Sequence, residues 1–340
     1  MLKILEKIEN GTNLSFEEAR DFLSVAFEGK YDTDFLKKIL IGMNKKGVSS
    51  DELTGFATSM RKISKKVSIS RSVVDNCGTG GDGKGTFNIS TVSSFIAASC
   101  GASVAKHGNK AVTSKSGSAD LLLEAGANIN LSPEQVEQCL SECNFGFMFA
   151  PLHHQSMKYV AEARKQIAPD KTIFNLLGPL TNPAGAKIQL IGVYSQDKMN
   201  LVAETLIKLG VKRAMIVHSN DGLDEISIFT TTNVIEINNN NMKKYVIDPD
   251  SYNLKLGSLD DILTNDPSES LNILKSVLGN KKSPMLNICV INAAALVYLS
   301  GLTDNLIDSI KKCQSAIESK ESINTFNKYV SITNSFDHVR

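Results

Sequence analysis

The stretch Asp75–Thr91, DNCGTGGDGKGTFNIST, decides how this chain folds and what it can bind. It holds five glycines between an apolar, strand-like run at Val73–Asp75 and an apolar stretch at 90–100 with the character of a helix. Glycines let the backbone approach an anion closely and turn amide groups toward it. A helix that starts immediately afterwards adds its unpaired N-terminal amides and its dipole. A surface turn needs two or three such residues, so this dense run of Gly, Thr, Asp, Asn and Ser reads as a phosphate-binding loop. Its spacing matches neither G-x-x-x-x-G-K-[ST] nor G-x-G-x-x-G.

Strand-like and helix-like runs alternate outward from that loop. Ser103–Lys106 precedes a helix over 117–125, and Phe145–Phe149 precedes one over 155–166. Ile188–Tyr194, a helix over 197–209 and Ala214–His218 continue the rhythm. Such alternation predicts an α/β fold with a central, mainly parallel sheet covered by helices on both faces. Val234–Ile237 and Lys244–Ile247 flank Asn238–Asn241 and predict a hairpin with a polar turn. From about 268 the chain is helical again, with a small apolar helix Asn292–Leu299 expected inside. Upstream, residues 1–65 carry no strand signal. Ser15-x-x-Glu18 and Ser49-x-x-Glu52 form capping boxes, and Leu36, Ile39, Leu40 and Met43 recur at helical period, so a small helical unit is expected there.

Two further segments join the glycine loop. Lys106–Ser118, KHGNKAVTSKSGS, follows the next strand with three lysines, a histidine and several hydroxyls. Placed at the carboxyl end of a parallel sheet, it would lie beside the first loop, where ligands bind in such folds. Together the two imply a highly charged anion such as a pyrophosphate. His218–Glu225, HSNDGLDE, then brings three carboxylates within five positions, with Asp224 and Glu225 adjacent. Oxygen ligands of this kind suit magnesium, which takes one or two protein carboxylates and completes its shell with phosphate and water. In Ala163–Pro183, Arg164 ends a helix and is suited to grip a carboxylate. One of His153 and His154 could line a pocket or be a hydrogen-bonded structural residue; His338, in the polar tail, reads as surface.

Composition narrows the classes. Apolar residues make up 42% and charged residues 21%, the balance of a globular protein. The net charge of +1 gives no reason to expect a polyanion or a membrane surface as partner, so any positive field must be local. Cys77, Cys100, Cys139, Cys143, Cys289 and Cys313 show no framework or zinc spacing and are expected to be reduced thiols. The N-terminus is broken by charges every few residues and no apolar run approaches bilayer length, which predicts a cytoplasmic protein.

Taken together, the segments resemble the anthranilate phosphoribosyltransferases of tryptophan biosynthesis, from the N-terminal helices to about residue 320. The carriers are Gly78-Thr79-Gly80-Gly81-Asp82, Asn88-Ile89-Ser90-Thr91, Lys106-His107-Gly108-Asn109, Ser116-Gly117-Ser118-Ala119-Asp120, Asn175–Pro183 and Asp221-Gly222-Leu223-Asp224-Glu225. The resemblance implies a helical domain over 1–70, joined by part of 155–185, an α/β domain over 71–340, and a homodimer. It implies magnesium-dependent transfer of phosphoribose from phosphoribosyl pyrophosphate to the amine of anthranilate, with two ions in each monomer. The donor would meet Gly78, Gly81, Asp82, Thr86, Asn88, Ile89, Ser90 and Thr91. It would also meet Lys106, His107, Gly108, Asn109, Lys110, Ala111, Val112, Thr113, Ser114 and Ser118. Ser90, Asp224 and Glu225 would hold magnesium. Anthranilate would lie against Gly78, Asn109 and Gly178, with Arg164 on its carboxylate; Lys106 and Arg164 are the expected catalytic residues. Gln155 stands where the family usually has Pro, and Ile167–Thr172 departs from its usual Leu-Gly-x-Arg-Thr-like run; both changes flank the acceptor side.

That chemistry fits the residue types. Leaving pyrophosphate builds negative charge, which Lys106 and magnesium would stabilise, and an aromatic amine is already neutral at pH 7, so no strong base is required. Two other readings stay open. A pyrimidine nucleoside phosphorylase would share the architecture but use inorganic phosphate without magnesium, against the Asp224–Glu225 pair. A non-catalytic nucleic-acid-binding relative would favour a basic surface, which this chain lacks.

Overall fold

The computed structural model describes residues 2–111 and 115–336; Val112, Thr113, Ser114 and His338 lie outside the described residues. The chain opens with α1 (Leu2–Glu9), α2 (Phe16–Ala26), α3 (Thr33–Lys46) and α4 (Ser50–Ile63). Both expected capping boxes form: the Ser15 and Ser49 hydroxyls accept from the Glu18 and Glu52 amides, and each Glu accepts in return from the cap backbone. The α/β region follows with β1 (Val74–Asn76), α5 (Ile89–Ser99), β2 (Val104–Gly108), α6 (Ser118–Glu124), α7 (Pro133–Cys143) and β3 (Phe145–Phe149). An excursion then carries α8 (Ala150–His153), α9 (Lys158–Ile167) and α10 (Ile173–Leu177) before the sheet resumes. It continues through β4 (Ile188–Gly192), α11 (Met199–Lys208), β5 (Arg213–Ser219), β6 (Thr232–Asn238) and β7 (Asn241–Ile247). Helices α12 (Pro267–Leu278), α13 (Pro284–Leu299), α14 (Leu306–Glu318) and α15 (Glu321–Ser335) close the chain.

The seven strands order as β3-β2-β1-β4-β5-β6-β7. The first five run parallel, and β6 and β7 add an antiparallel hairpin at one edge. Asn239 and Asn240 take φ of 48° and 73°, the consecutive left-handed residues that match a two-residue turn to strand twist. Strand order reverses between β1 and β4, and such a switch point opens a crevice at the carboxyl ends of the strands. The expected inner helix is longer than Asn292–Leu299: α13 starts at Pro284, capped by the Ser283 hydroxyl, and is buried almost throughout.

Two apolar cores result. One packs α5, α13 and α15 on one sheet face around Phe95, Phe145 and Tyr329, whose ring centroids lie 4.1, 4.8 and 5.7 Å apart. The other runs from Phe22 and Phe56 of the helical bundle through Phe174 of α10 to Ile191 and Ile216 on the opposite face. Accordingly α9 packs on α3 and α10 on α4, so the excursion belongs with the bundle although it lies between two strands. The six cysteines are free thiols, all buried except the partly exposed Cys77.

One buried ion pair ties the bundle together. Lys46 Nζ and Glu52 lie 2.7 Å apart with side chains 4% and 0% exposed. Glu52 also accepts from the Leu14 and Ser49 amides at 2.9 and 2.8 Å, and Lys46 donates to Asn13 and Gly47. The pair thus joins the α1–α2 turn to the α3–α4 turn. Removing one partner strands a buried charge, so Glu52→Gln is expected to cost about 3–5 kcal/mol, and the double change Lys46→Met with Glu52→Gln, which keeps an acceptor toward the Leu14 and Ser49 amides, to recover part of it. Urea unfolding followed by helical circular dichroism checks both; equal losses in the two variants would contradict the assignment.

Candidate active site

A cavity of about 700 Å³ opens at the switch point. The glycine loop leaves β1 and forms its floor. Gly80, Gly81, Gly83 and Gly85 all take positive φ, from 61° to 77°, a backbone path that side chains with a Cβ rarely follow. The loop is fixed at both ends: Thr79 N–H donates to the Gly192 carbonyl at 2.9 Å, and Phe87 N–H to the Ile262 carbonyl at 3.1 Å. Where it enters α5, Asn88 donates to the Ser116 carbonyl at 3.0 Å and accepts from the Ser116 hydroxyl at 2.8 Å. That side chain clamps the glycine loop to the lysine loop. The lysine loop is drawn tight in turn by Asp120, which accepts from the Ala111 and Gly117 amides at 2.8 and 3.0 Å.

The structure brings most of the expected donor residues to this cavity. Gly78, Gly81, Asp82, Thr86, Asn88, Ile89 and Ser90 line it from the first loop. Lys106, His107, Gly108, Asn109, Lys110, Ala111 and Ser118 line it from the second. Thr91 is buried behind them and donates to the Ser118 hydroxyl at 3.1 Å. Lys106 is buried within β2, its ammonium donating to the Asn76 carbonyl and, at 3.1 Å, to Ser90 Oγ. Burial pulls its pKa down, while Cys77, Asp75, Glu225 and Asp224 pull it back up.

The acidic loop after β5 divides its three carboxylates between two jobs. Asp221 is consumed in the turn: it accepts from the hydroxyls of Ser219 and, at 2.6 Å, Ser227. Asp224 and Glu225 instead face the cavity. Buried Asn292 of α13 grips the following backbone, accepting from Ile226 N–H at 3.0 Å and donating to its carbonyl at 2.9 Å. Asp224 accepts from the Gly80 amide at 2.9 Å. Burial and the neighbouring Asp82 push its pKa up to about 7. Burial and Asp224 push Glu225 well above the usual carboxylate range, against the pull of Lys106. Two crowded carboxylates that repel each other, next to the Ser90 hydroxyl, are a hard-oxygen set that a dication would relieve. Among the described residues no three His, Cys, Asp or Glu side chains converge as a closed cage, so such an ion would share its shell with ligand oxygens.

The opposite wall comes from the excursion and α4. Arg164 lines it, its guanidinium 5.2 Å above the Phe174 ring, and among the described residues it has no carboxylate partner. Gly178 lines it too, its carbonyl accepting from His107 Nδ1 at 3.2 Å. Of the two histidines, His153 is structural, its Nδ1 donating to the Lys65 carbonyl at 2.6 Å. His154 is the one that faces the cavity, edge-on to His107 at 5.1 Å. Burial and His153 drop its pKa to about 4, so it is neutral at pH 7. Met60, Met157, Ala161 and Phe174 complete an apolar surface that sequence reasoning did not find. Nothing in their spacing distinguishes them from core; only the packing of α4, α9 and α10 around one void does so.

An anion cradle at the switch point of a parallel sheet, facing an apolar wall held by a helical bundle, has the layout of a transferase that works on a phosphorylated sugar. Residues 2–64 match the glycosyl transferase family helical bundle domain and residues 70–322 the glycosyl transferase family a/b domain. The anthranilate phosphoribosyltransferase of Hydrogenovibrio crunogenus is 41% identical over 334 residues, covering 98% of both chains. The crystal structure of that enzyme from Thermus thermophilus superposes with a TM-score of 0.92 at 33% identity, covering 98% of this chain and 99% of the other. The Saccharomyces cerevisiae enzyme, solved in complex with PRPP and Mg, gives 0.90 at 26% identity over 98% of both chains. The same yeast enzyme has also been solved with 4-fluoroanthranilate (TM-score 0.89, 25% identity, 98% of both chains). The chain therefore belongs to the anthranilate phosphoribosyltransferases of the glycosyl transferase family.

The raised pKa of Asp224 has a consequence for stability. An unfolded Asp loses its proton near pH 4, whereas folded Asp224 keeps it to about 7, so stability of the ligand-free protein falls as pH rises across that window. Asp224→Asn, which retains an acceptor for Gly80 N–H, is expected to raise Tm above wild type at pH 8, with the gain vanishing near pH 4. Thermal unfolding of both proteins across that range checks it; a gain that does not depend on pH would contradict the burial argument.

Proposed function

We propose that the cavity holds phosphoribosyl pyrophosphate on the glycine and lysine loops and anthranilate against Arg164. In this reading the enzyme transfers the phosphoribosyl group to the anthranilate amine and releases pyrophosphate, in tryptophan biosynthesis. The observation that carries it is a single void with an anion cradle and acid pair on one wall and, on the other, a guanidinium over an aromatic ring with no carboxylate partner among the described residues. The ribose C1–oxygen bond to pyrophosphate breaks, the C1–nitrogen bond forms, and the amine proton leaves to solvent. Ser90, Asp224 and Glu225 are the residues that would hold magnesium, with two ions in each monomer. Bound magnesium supplies electrostatic stabilisation of the charge that develops on pyrophosphate.

The chain's own groups supply the rest. Lys106, already fixed by Asn76 and Ser90, holds a positive charge in a low-dielectric setting at the leaving group, where such preorganised charge counts most. Gly78, Gly81, Asp82, Thr86, Asn88 and Ile89 shape the pyrophosphate side, and His107–Ala111 with Ser118 the sugar-phosphate side. Arg164 pairs with the anthranilate carboxylate while Phe174, Ala161 and Met157 accept its ring, and Asn109, Gly78 and Gly178 complete the acceptor contacts. Orientation then supplies much of the rate, since a neutral aromatic amine needs no strong base. Residues 1–70 with part of 155–185 would act as one domain and 71–340 as the other, in a cytoplasmic homodimer.

Loss of anthranilate fluorescence on adding phosphoribosyl pyrophosphate and magnesium tests the reaction. Wild type is expected to turn over only with both present, and Asp224→Asn with Glu225→Gln to be slower by ~10²-fold or more. Full activity in the double variant would remove the metal assignment, and fluorescence that never falls in wild type would remove the reaction. Arg164→Ala is expected to weaken anthranilate far more than donor in calorimetric titrations; equal losses for the two ligands would refute the carboxylate grip.

A further inference from the structure

Lys171 lies in the turn between α9 and α10, beside rather than within the cavity lining, and touches both the helical bundle and the glycine loop. Its carbonyl accepts from Asn44 of α3 at 2.5 Å, which anchors the turn to the helical bundle. Its ammonium lies 3.6 Å from the ring centroid of Tyr194, just beyond β4, and Tyr194 N–H in turn donates to Thr79 of the glycine loop at 3.0 Å. The stem passes over that loop: a Cβ added at Gly81 would meet Lys171 Cε at 3.2 Å and Nζ at 3.6 Å. Asp82 and Asp224 are the acidic groups that favour its charge against partial burial.

No hydrogen bond or ion pair among the described residues uses the three donors of this ammonium. An aromatic face steadies a cation without consuming its N–H groups, so the charge is held in place and its donors stay available. The glycine loop's own lysine, Lys84, is folded against Gly222 of the acidic loop instead, within 3.2 Å of where a Cβ there would lie. Lys171 is therefore a cation delivered from the acceptor wall to the donor loop, beside Asp82 and Asp224.

We propose that Lys171 is a donor-positioning residue. It binds the pyrophosphate end of the donor as that end settles on Gly80–Asp82, and so ties the helical bundle to the glycine loop through the bound donor. The proposal rests on the donor placement given above. The pyrophosphate end is favoured because Lys171 adjoins the first loop and the acid pair, whereas the sugar-phosphate side is built from the lysine loop on β2.

Calorimetric titration of the full chain with phosphoribosyl pyrophosphate and with inorganic pyrophosphate, each with magnesium, tests this. Lys171→Met, which keeps the stem, is expected to bind both ligands ~10-fold more weakly, about the loss of one charged hydrogen bond. Anthranilate binding should be unchanged, and Lys171→Arg should restore most of the loss. Wild-type binding by Lys171→Met, an equal loss for anthranilate, or failure of Arg to rescue would each overturn the role. A loss confined to phosphoribosyl pyrophosphate would overturn the pyrophosphate assignment. Wild type that binds neither ligand would overturn the donor site itself; wild type that binds both while Lys171→Met matches it overturns Lys171 alone.

Discussion

The acidic loop can sit where it does only because residue 192 has no side chain. A Cβ on Gly192 would lie 1.5 Å from the Asp224 carbonyl oxygen, a clash with backbone that no rotamer relieves. Gly192 ends β4, and its own carbonyl receives Thr79 N–H, so the tip of this strand supports the acidic loop and the glycine loop at once. Gly78 meets the same limit from the other side, since a Cβ there would lie 2.9 Å from Asp224 Oδ2. Gly192 at the end of β4 thus leaves room for the Asp224 backbone and Gly78 in the glycine loop for its carboxylate, whose direction Gly80 N–H fixes. Close backbone approach sets the distance between the anion cradle and the acid pair, and the rest of the site is arranged around that distance.

Placing charges so tightly has an electrostatic cost that the sequence total conceals. The chain carries a net charge of only +1, yet Lys106 is surrounded by Asp75, Asp224 and Glu225 within the protein. Burial raises the acids, Asp75 to about 6 among them, and lowers the lysine, so each group is held away from its ordinary state. Apolar packing holds these groups in place: α13 is buried through most of its length, and its single central Asn292 pins the backbone after Glu225. An arrangement that is unfavourable when empty is preorganised for a ligand bringing both a dication and an anion.

Local signals in the sequence were enough for the sheet and the loops. The density of glycine in 78–85 and the lysines of 106–115 stand out because each loop is contiguous, and both capping boxes can be read from four residues. The hairpin was legible from four asparagines, two of which take the left-handed conformation the turn requires. What was not legible depends on contacts distant in sequence. Met60 and Phe174 look like ordinary core residues until α4 and α10 meet. The choice between His153 and His154 is decided by the Lys65 carbonyl, 88 positions away. That Asp221, the third carboxylate of the run, is taken up by the hydroxyls of Ser219 and Ser227 is likewise visible only in the folded chain.

The strand order explains why one chain supplies both walls. After β3 at one edge, the next strand, β4, pairs on the far side of β1, so the chain must cross back past β2 and β1. A short loop cannot make that journey. Residues 150–187 make it by leaving the sheet, docking α9 and α10 on the helical bundle, and returning. The reversal that opens the crevice therefore also forces the excursion that closes it. His154, Arg164, Lys171, Phe174 and Gly178 all lie on that excursion, facing loops that leave β1, β2 and β5. The anion cradle and the wall that carries Arg164 are thus separated by topology, one fixed to the sheet and the other to the bundle. Relative movement of the two would change the distance between the walls.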